Sequence, residues 1–316
     1  MGNTEKPIRV CSLFSGGGGL DRGVSRALEG TTTVVYVERE AFACAVLVHE
    51  MEANRLDPAP IWTDVSTFDG HPWNKCVDLV VGGFPCQDIS TAGKGAGIEA
   101  GARSGLWREF ARVLLETNAS FVFIENVDAL VRNGLAIVLS DLDALGFDGQ
   151  WCVLPASAVG APHKRNRFFF LGRRRGMADS DVDRCLRAGL QLRGRGQEQA
   201  VLDIDGTSLV VVDNPIGSRL QGQWTKRQFR EREEEVETIG TGSRVYAPFP
   251  PRPTEGAGWE TYLEKFPGSQ PAGVEPKVLR GLDGLAGWVD RTRLLGNGVV
   301  EMQAAFAFRL LANNFY

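Results

Sequence analysis

One cysteine stands in a sequence context that suits a nucleophile. Cys86 lies in GGFPCQDIS (82–90), directly after the strand-like run 77–83, and the preceding Pro85 fixes the backbone and removes a hydrogen-bond donor. The chain that follows is rich in glycine as far as Gly105, a composition that predicts a mobile lid. A lone cysteine is most often a small buried apolar residue. A strand end, a proline and a lid together favour a catalytic thiolate instead.

An acid and two arginines could serve the same chemistry. Glu125 begins ENV (125–127) after the strand-like FVFI, so it emerges beside Cys86 if the two strands are neighbours. A carboxyl at the rim of an apolar strand should have its pKa raised by desolvation, which suits it to donate a proton. Arg165 and Arg167, in HKRNRFFF, lie two residues apart and share one face of the strand that begins there. Such a pair is most often a salt-bridge site, but beside a thiol and an acid it could orient an oxygen-rich ring.

A glycine-rich turn and two acids indicate a nucleotide-like ligand. The segment LFSGGGGLDRG follows a strand and opens a helix, where glycines allow a ligand to approach exposed N–H groups. The dinucleotide fingerprint fails, because its last glycine position falls on Asp21 or Arg22. Glu38 ends the next strand, where a carboxylate can bind both ribose hydroxyls, and Asp64 in TDVS could receive an adenine amino group. Each acid alone is more often a surface carboxylate, but in this order they indicate an adenosyl pocket.

The elements that must hold these residues alternate in type. Strand-like runs occur at 8–14, 33–38, 77–83, 121–126 and 166–172. Helix-like stretches follow the first two, 134–146 has a helical pattern that ends at a glycine, and 299–313 has apolar residues at helical spacing. We therefore predict an α/β fold with a doubly wound, mostly parallel sheet. In such sheets ligands bind beyond the carboxyl ends of the strands, where every motif above lies.

The composition excludes several classes of protein. Of 316 residues, 43% are hydrophobic and 23% charged, and no run reaches the roughly 18 to 20 apolar residues of a membrane span. The N-terminus lacks the layout of a signal peptide, so we expect a cytoplasmic protein. Six cysteines without a CxxC pair and three dispersed histidines predict neither a disulfide framework nor a metal site.

Charge and composition set one segment apart. The net charge is −4, yet residues 160–235 carry 15 Lys and Arg against 11 Asp and Glu. This basic patch fits a bound polyanion, although solvated loop charge explains it equally well. Residues 176–275 are rich in Gly, Arg, Gln and Pro and have weak periodicity. We predict one domain from 1–175 and 275–316, with a second, loop-rich domain, 176–274, inserted into it.

The order of these motifs resembles that of a known family. LFSGGGGL, Glu38, Asp64, GGFPCQDIS, ENV, the RNR segment and LLGNGV occur as they do in bacterial and phage DNA cytosine-5 methyltransferases, across roughly 8–172 and 275–313. The combination of Pro-Cys-Gln with Glu-Asn-Val is highly specific. The resemblance implies the S-adenosylmethionine-dependent methyltransferase fold, double-stranded DNA as partner, S-adenosyl-L-methionine as donor and no metal. The 176–274 segment falls where that family holds its variable target-recognition domain.

The resemblance also implies roles for single residues. Cys86, as thiolate, would add to C6 of a cytosine flipped out of the duplex. Glu125 would contact N3 and the exocyclic amine, while Arg167, with Arg165 nearby, would hold O2 and favour the thiolate. Methyl transfer to C5, loss of the C5 proton and elimination would then release Cys86. The implied donor pocket comprises Phe14, Ser15, Gly16, Gly18, Gly19, Glu38, Arg39, Asp64, Val65, Pro85, Leu106 and Asn297.

Three positions depart from the family pattern. His163 stands where the family usually has Gln, which puts a contact to the base or backbone in question. Arg39 follows the ribose acid where a bulky apolar residue is common, and could stack its guanidinium on adenine. The first strand ends CSLF rather than DLF, so any role of the family aspartate at that place is absent.

Two other functions stay open. A related tRNA cytosine methyltransferase carries a different pattern after Pro-Cys-Gln. A catalytically silent DNA-binding regulator on the same fold usually lacks the cysteine or the glutamate, and both are present here. A nicotinamide dehydrogenase is disfavoured by the glycine spacing. The chain begins almost at its first strand, which suits a monomeric bacterial or phage enzyme at the nucleoid, with or without a cognate restriction endonuclease.

Overall fold

The fold is built on one β-sheet. The computed structural model describes residues 7–85, 105–161, 165–176, 211–214 and 298–313. Its strands are β1 (Ile8–Leu13), β2 (Thr31–Val37), β3 (Ile61–Trp62), β4 (Leu79–Gly82), β5 (Phe121–Val127), β6 (Phe147–Pro155), β7 (Asn166–Arg174) and β8 (Val211–Asn214). Within these ranges the order is β3-β2-β1-β4-β5-β7-β6-β8. The first five strands in that order pair in parallel, and the pairs β5–β7, β7–β6 and β6–β8 are antiparallel.

Helices connect the strands and cover both faces of the sheet. They are α1 (Gly19–Ala27), α2 (Ala41–Glu52), α3 (Gly105–Thr117), α4 (Leu130–Asn133), α5 (Leu135–Ala144) and α6 (Glu301–Asn313). On one face, buried residues of α3, α4 and α5 pack with Val80 of β4. On the other, α1 and α6 pack with the adjacent Leu79. Because successive strand residues point to opposite faces, both cores are built on the same strands. The predicted doubly wound, mostly parallel α/β fold is confirmed.

The helices α1 and α6 meet closely, although some 280 residues separate them in sequence. A Cβ atom on Gly23 would lie 2.6 Å from Cβ of Ala304 and 2.9 Å from the carbonyl oxygen of Glu301. Glu301 also accepts contacts from Arg22 Nε at 2.9 Å and Arg26 Nη2 at 3.0 Å. α6 is therefore attached to α1 in two ways, by close packing at Gly23 and by the carboxylate of Glu301.

Two strands were not foreseen. β6 is a nine-residue strand between α5 and β7, where no strand was predicted from the sequence pattern. β8 comes from residues 211–214, which lie inside the segment predicted as a separate inserted domain, and it pairs with Gly149–Cys152 of β6. A short piece of that segment thus belongs to the main sheet. Among the described residues, no helix combines the length and apolar character needed to cross a membrane.

The chain reverses its direction of travel across the sheet at β1. β1 pairs with β2 on one side and with β4 on the other, so the connections that leave these strands run apart. A crevice at the carboxyl ends of the strands forms at such a switch point and is where α/β sheets bind ligands.

Candidate active site

The glycine-rich turn between β1 and α1 lines this crevice with tightly folded backbone. Phe14, Gly16 and Gly18 have φ angles of 53°, 54° and 74°. Phe14 is not a glycine, so its left-handed conformation is strained, and strain of this kind is concentrated at functional sites. A Cβ on Gly19 would lie 2.9 Å from the carbonyl oxygen of Val299, so the turn packs directly against the chain that enters α6.

Glu38 is fixed at the carboxyl end of β2 by backbone donors. Its Oε2 accepts a hydrogen bond of 2.7 Å from the N–H of Gly16, and its Oε1 accepts one of 2.7 Å from the N–H of Glu40. The side chain is 9% exposed. Two charge-assisted bonds of this length hold the carboxylate in one orientation at the edge of the crevice. The same bonds hold the turn against the end of β2.

Asp64 lies beyond the short edge strand β3 and caps the turn that follows. Its Oδ1 accepts hydrogen bonds from the N–H of Ser66 at 2.9 Å and from its hydroxyl at 2.7 Å. These bonds, together with the positive charge of Arg39, lower the pKa of Asp64. The carboxylate is therefore ionised at neutral pH. Val65 is buried beside it and Arg39 is exposed.

Glu125 lies next to the end of β4, because β4 and β5 are neighbouring parallel strands with Gly82 opposite Ile124. A Cβ on Gly83 would lie 2.7 Å from Oε2 of Glu125, so only glycine leaves room for the carboxyl there. Burial raises the pKa of Glu125 to about 7, against the opposing effect of Arg167 and Arg165. The direction is the one expected from its place at the rim of an apolar strand.

Two arginines supply positive charge beside this carboxyl. Arg167 Nε lies 2.7 Å from Glu125 Oε1, and both side chains are 13% exposed. Its N–H is not aligned for a hydrogen bond with that oxygen, so the contact is a close ion pair. Arg165 precedes β7 and lies near enough to Glu125 and Arg167 for their charges to interact. Burial, reinforced by the charge of Arg167, lowers the pKa of Arg165.

Asn126 ties the end of β5 to the chain leaving β4. Its Nδ2 donates a hydrogen bond of 3.0 Å to the carbonyl oxygen of Phe84, and its Oδ1 accepts one of 2.8 Å from the N–H of Val127. The side chain is 4% exposed. Asn126 was not among the residues predicted from the sequence, although its place directly after Glu125 was a usable signal. The bond fixes the backbone that leads through Pro85.

A single cleft of about 620 Å³ joins the turn, the acids and the ion pair. The predicted residues that line it are Phe14, Ser15, Gly16, Gly19, Glu38, Arg39, Asp64, Val65, Pro85, Leu106, Glu125 and Arg167. Gly18 and Arg165 do not line it, and Gly18 packs against Leu56 instead. Cys86, the lid that follows it, His163 and Asn297 lie outside the described residues. Residues that the prediction had not named also line the cleft, among them Ser12, Gly83, Asn126 and Val299.

The arrangement separates two kinds of chemistry within one cleft. At one end, beside the glycine-rich backbone, the carboxylates of Glu38 and Asp64 can accept hydrogen bonds from hydroxyl and amino groups. At the other, a carboxyl that titrates near neutrality and a guanidinium can bind a polar ring and hold or release a proton. Pro85 lies in the cleft, so residue 86 follows directly from its wall.

One group in the described part of the chain has side chains close enough to hold a metal ion. Asp69, His71 and Glu116 place one ligand atom each within 4.8 Å of one another, and none of them lines the cleft. Glu116 Oε2 is already bonded by Arg112 at 2.7 Å, which competes with a cation. The expectation that catalysis needs no metal stays a prediction.

Comparison with known proteins gives consistent matches. A family model described as C-5 cytosine-specific DNA methylase matches residues 8–238. The type II methyltransferase M.PspPI of Psychrobacter sp. is 36% identical over 180 residues, which cover 55% of this chain and 42% of that protein. M.Eco47II of Escherichia coli is 34% identical over 177 residues, covering 54% and 40%. A solved S. pombe Dnmt2 methyltransferase superposes with a TM-score of 0.45 at 20% identity, covering 55% and 52%. The matched part of this chain thus spans less than half the length of these two curated relatives.

Proposed function

The chain belongs to the C-5 cytosine-specific DNA methylase family, and on that premise we propose that it transfers a methyl group from S-adenosyl-L-methionine to carbon 5 of cytosine in double-stranded DNA. The observation that carries the proposal is the continuity of the cleft. The glycine-rich turn with Glu38 and the Glu125–Arg167 pair open into one space, with Pro85 in its wall. A methyl donor and a target base bound at its two ends would meet beside residue 86.

The residues present fit the donor. A nucleoside with an amino-acid tail needs close backbone approach, a diol acceptor, an amino acceptor and apolar surface for the base. Gly16 and Gly19 allow the close approach. Glu38 can accept from the diol, Asp64 can accept from the amino group, and Val65 offers apolar surface for the base. All five line a cleft of sufficient volume. In this assignment Phe14, Ser15, Pro85, Leu106 and Asn297 complete the site, and Arg39 covers the adenine. When bound, S-adenosylmethionine would supply an electrophilic methyl group to C5 and leave as S-adenosylhomocysteine.

Four side chains of this protein would carry out the reaction on the cytosine ring. The Cys86 thiolate forms a bond to C6 of a flipped cytosine, which makes C5 nucleophilic. Glu125, whose pKa burial raises to about 7, donates to N3 and balances the electron density that moves onto the ring. Arg167, supported by Arg165, binds O2 and favours the thiolate. After C5 is methylated, loss of its proton returns electrons to the ring and the S–C6 bond breaks, which regenerates Cys86.

Bisulfite sequencing of DNA from cells that express the protein tests this function. Wild type should leave methylated cytosines at one short recurring site, and Cys86→Ser should leave none while still binding donor and DNA. With purified protein, 5-fluorocytosine duplex DNA and donor should give a covalent complex in wild type only, because fluorine cannot leave as a proton does. Methyl transfer to tRNA and not to duplex DNA would point to the RNA enzyme. Trapping by Cys86→Ser would refute the nucleophile.

We further propose that residues 176–274 read the bases around the target. The family match extends into the segment as far as residue 238, and its 12 Lys and Arg, set among 15 Asp and Glu, include candidates for contacts to guanine and phosphate. Strand β8 shows that four of its residues join the main sheet, so the recognising part lies on either side of 211–214. Exchanging the flanking parts for those of a relative should transfer the relative's target site. An active chimera that keeps the original site would place recognition elsewhere.

A further inference from the structure

A buried carboxylate lies beneath the glycine-rich turn without a part in the proposed reaction. Asp21, in the first turn of α1, is 5% exposed, and Ser12 of β1 is 1% exposed. The Ser12 hydroxyl donates a hydrogen bond of 2.9 Å to Asp21 Oδ2, and Thr33 Oγ1 of β2 lies 3.5 Å from Oδ1. One carboxylate therefore connects α1 to two strands of the sheet.

Ser12 also holds the turn through its backbone. Its carbonyl oxygen accepts a hydrogen bond of 3.1 Å from the hydroxyl of Ser15, and the carbonyl oxygen of Ser15 accepts one of 2.9 Å from the N–H of Gly18. The turn is thus held to β1 through Ser12 and to the end of β2 through the Gly16–Glu38 bond of 2.7 Å. Ser12 itself lines the cleft.

The carboxylate stands in a sparsely charged environment. Groups that interact with it are the Ser12 and Thr33 hydroxyls, the Cys11 thiol, the Tyr36 phenol, and the guanidinium of Arg22. Asp21 lies in the first turn of α1, where the helix dipole favours negative charge. A buried acid is costly unless it is hydrogen-bonded, and Asp21 meets this need through Ser12 of β1 and Thr33 of β2.

The acid comes from α1 and the hydroxyl from β1, so one carboxylate and one hydroxyl together bridge the gap between the helix and the sheet. Resting on the proposed function, we infer that the Ser12–Asp21 pair is a positioning device for the donor: it fixes the glycine-rich turn in its donor-binding shape, and either residue can supply the acid.

Exchange of the two side chains tests this inference. Ser12→Asp alone crowds two carboxylates into the space of the 2.9 Å bond between Ser12 Oγ and Asp21 Oδ2, and Asp21→Ser alone leaves two hydroxyls too short to meet. Each should weaken binding of S-adenosylhomocysteine, measured by calorimetry, by about ten-fold or more, the effect of losing a buried charge-assisted bond. The double variant Ser12→Asp/Asp21→Ser restores one acid and one hydroxyl, and should recover affinity to within about three-fold of wild type through coupling of neighbouring sites.

A second readout does not depend on the ligand. Hydrogen exchange of peptides that span residues 14–22, measured on the unliganded protein, should be faster in both single variants and return to the wild-type rate in the double variant. Asp78→Asn is the matched control, because Asp78 accepts Arg9 Nε and Nη2 at 2.9 Å at the opposite end of the sheet. It should lower thermal stability and leave both donor affinity and exchange of 14–22 unchanged.

The outcomes separate the inference from the proposed function. If wild type does not bind S-adenosylhomocysteine, the donor assignment fails, and the exchange rates alone decide the role of the pair. If wild type binds and the single variants bind equally well, or the double variant recovers neither affinity nor protection, the inference is overturned. Equal loss of affinity in Asp78→Asn would also overturn it, because the effect would then follow stability alone.

Discussion

The side-chain amide of Asn126 donates a 3.0 Å hydrogen bond to the carbonyl oxygen of Phe84, two residues before Cys86. The bond joins the strand that bears Glu125 to the chain that leads to the proposed nucleophile. Asn126 is 4% exposed, so its loss leaves the carbonyl oxygen of Phe84 without this side-chain donor in a largely buried place. We therefore expect the relative placement of Cys86 and Glu125 to depend on this buried side-chain amide.

Asn126→Ala and Asn126→Asp should both slow single-turnover methylation by about ten-fold or more, since small displacements of reacting groups are costly. Aspartate keeps an acceptor for the N–H of Val127 but cannot donate to Phe84, so it isolates the bond in question. Donor affinity should change little. Full single-turnover rates in Asn126→Asp would show that this bond does not position the nucleophile.

Gly83 should tolerate no side chain. Its Cβ would lie 2.7 Å from Glu125 Oε2 and 3.3 Å from the Glu125 carbonyl oxygen, so Gly83→Ala must displace the carboxyl or the backbone. We expect turnover to fall by about ten-fold or more, with donor affinity nearly unchanged. Gly105→Ala is the control, because its Cβ would meet no described atom within 4 Å. Equal activity of the two variants would contradict the crowding at Gly83.

Both carboxylate oxygens of Glu38 should contribute to binding of the methyl donor. Glu38→Ala removes the diol acceptor and also the bonds to Gly16 and Glu40, so donor affinity should fall by about ten-fold or more. Glu38→Gln keeps one acceptor oxygen and should lose less. Calorimetry with S-adenosylhomocysteine measures both, and DNA affinity serves as the internal reference. An unchanged donor dissociation constant in Glu38→Ala would remove this residue from the donor site.

Stability should depend on pH through Glu125. Burial raises its pKa from the ordinary 4.5 to about 7, so the folded state binds its proton more tightly than the unfolded chain. The resulting stabilisation is fully present below pH 4.5 and is lost as the pH rises through about 7. Glu125→Gln cannot ionise. The free energy of unfolding of wild type relative to this variant, from urea titrations, should fall between pH 4.5 and 7 and then level off. A constant difference would mean that the Arg167 ion pair cancels the effect of burial.

Several parts of this site follow from local sequence. Glu38 and Glu125 lie at the ends of runs of β-branched and aromatic residues, and such runs become parallel strands whose ends share one edge. The pKa of Glu125 could be foreseen in direction because an apolar strand guarantees burial. The neighbouring placement of β4 and β5, stated only as a condition, is confirmed by their pairing.

Other parts depend on contacts that local pattern does not encode. β6 contains Asp148, Gly149 and Gln150, which break any alternation, and it is a strand because β7 and β8 pair with it on both sides. Asp21 lies between Leu20 and Arg22 after the glycine-rich stretch, and this local pattern does not indicate that it is buried against Ser12. The local sequence around CSLF likewise does not indicate that the Ser12 hydroxyl donates to a carboxylate of the adjoining helix.

The contact between α1 and α6 has a consequence for how the protein is made. Arg22 and Glu301, 279 positions apart, cannot meet until ribosomal synthesis has nearly reached residue 313. Until then, the apolar side of α1, with Leu20 and Val24, has no helix to cover it. Contacts so distant in sequence form late and slow the final folding step. Nascent chains should therefore gain protease resistance around residues 19–27 only when α6 leaves the exit tunnel.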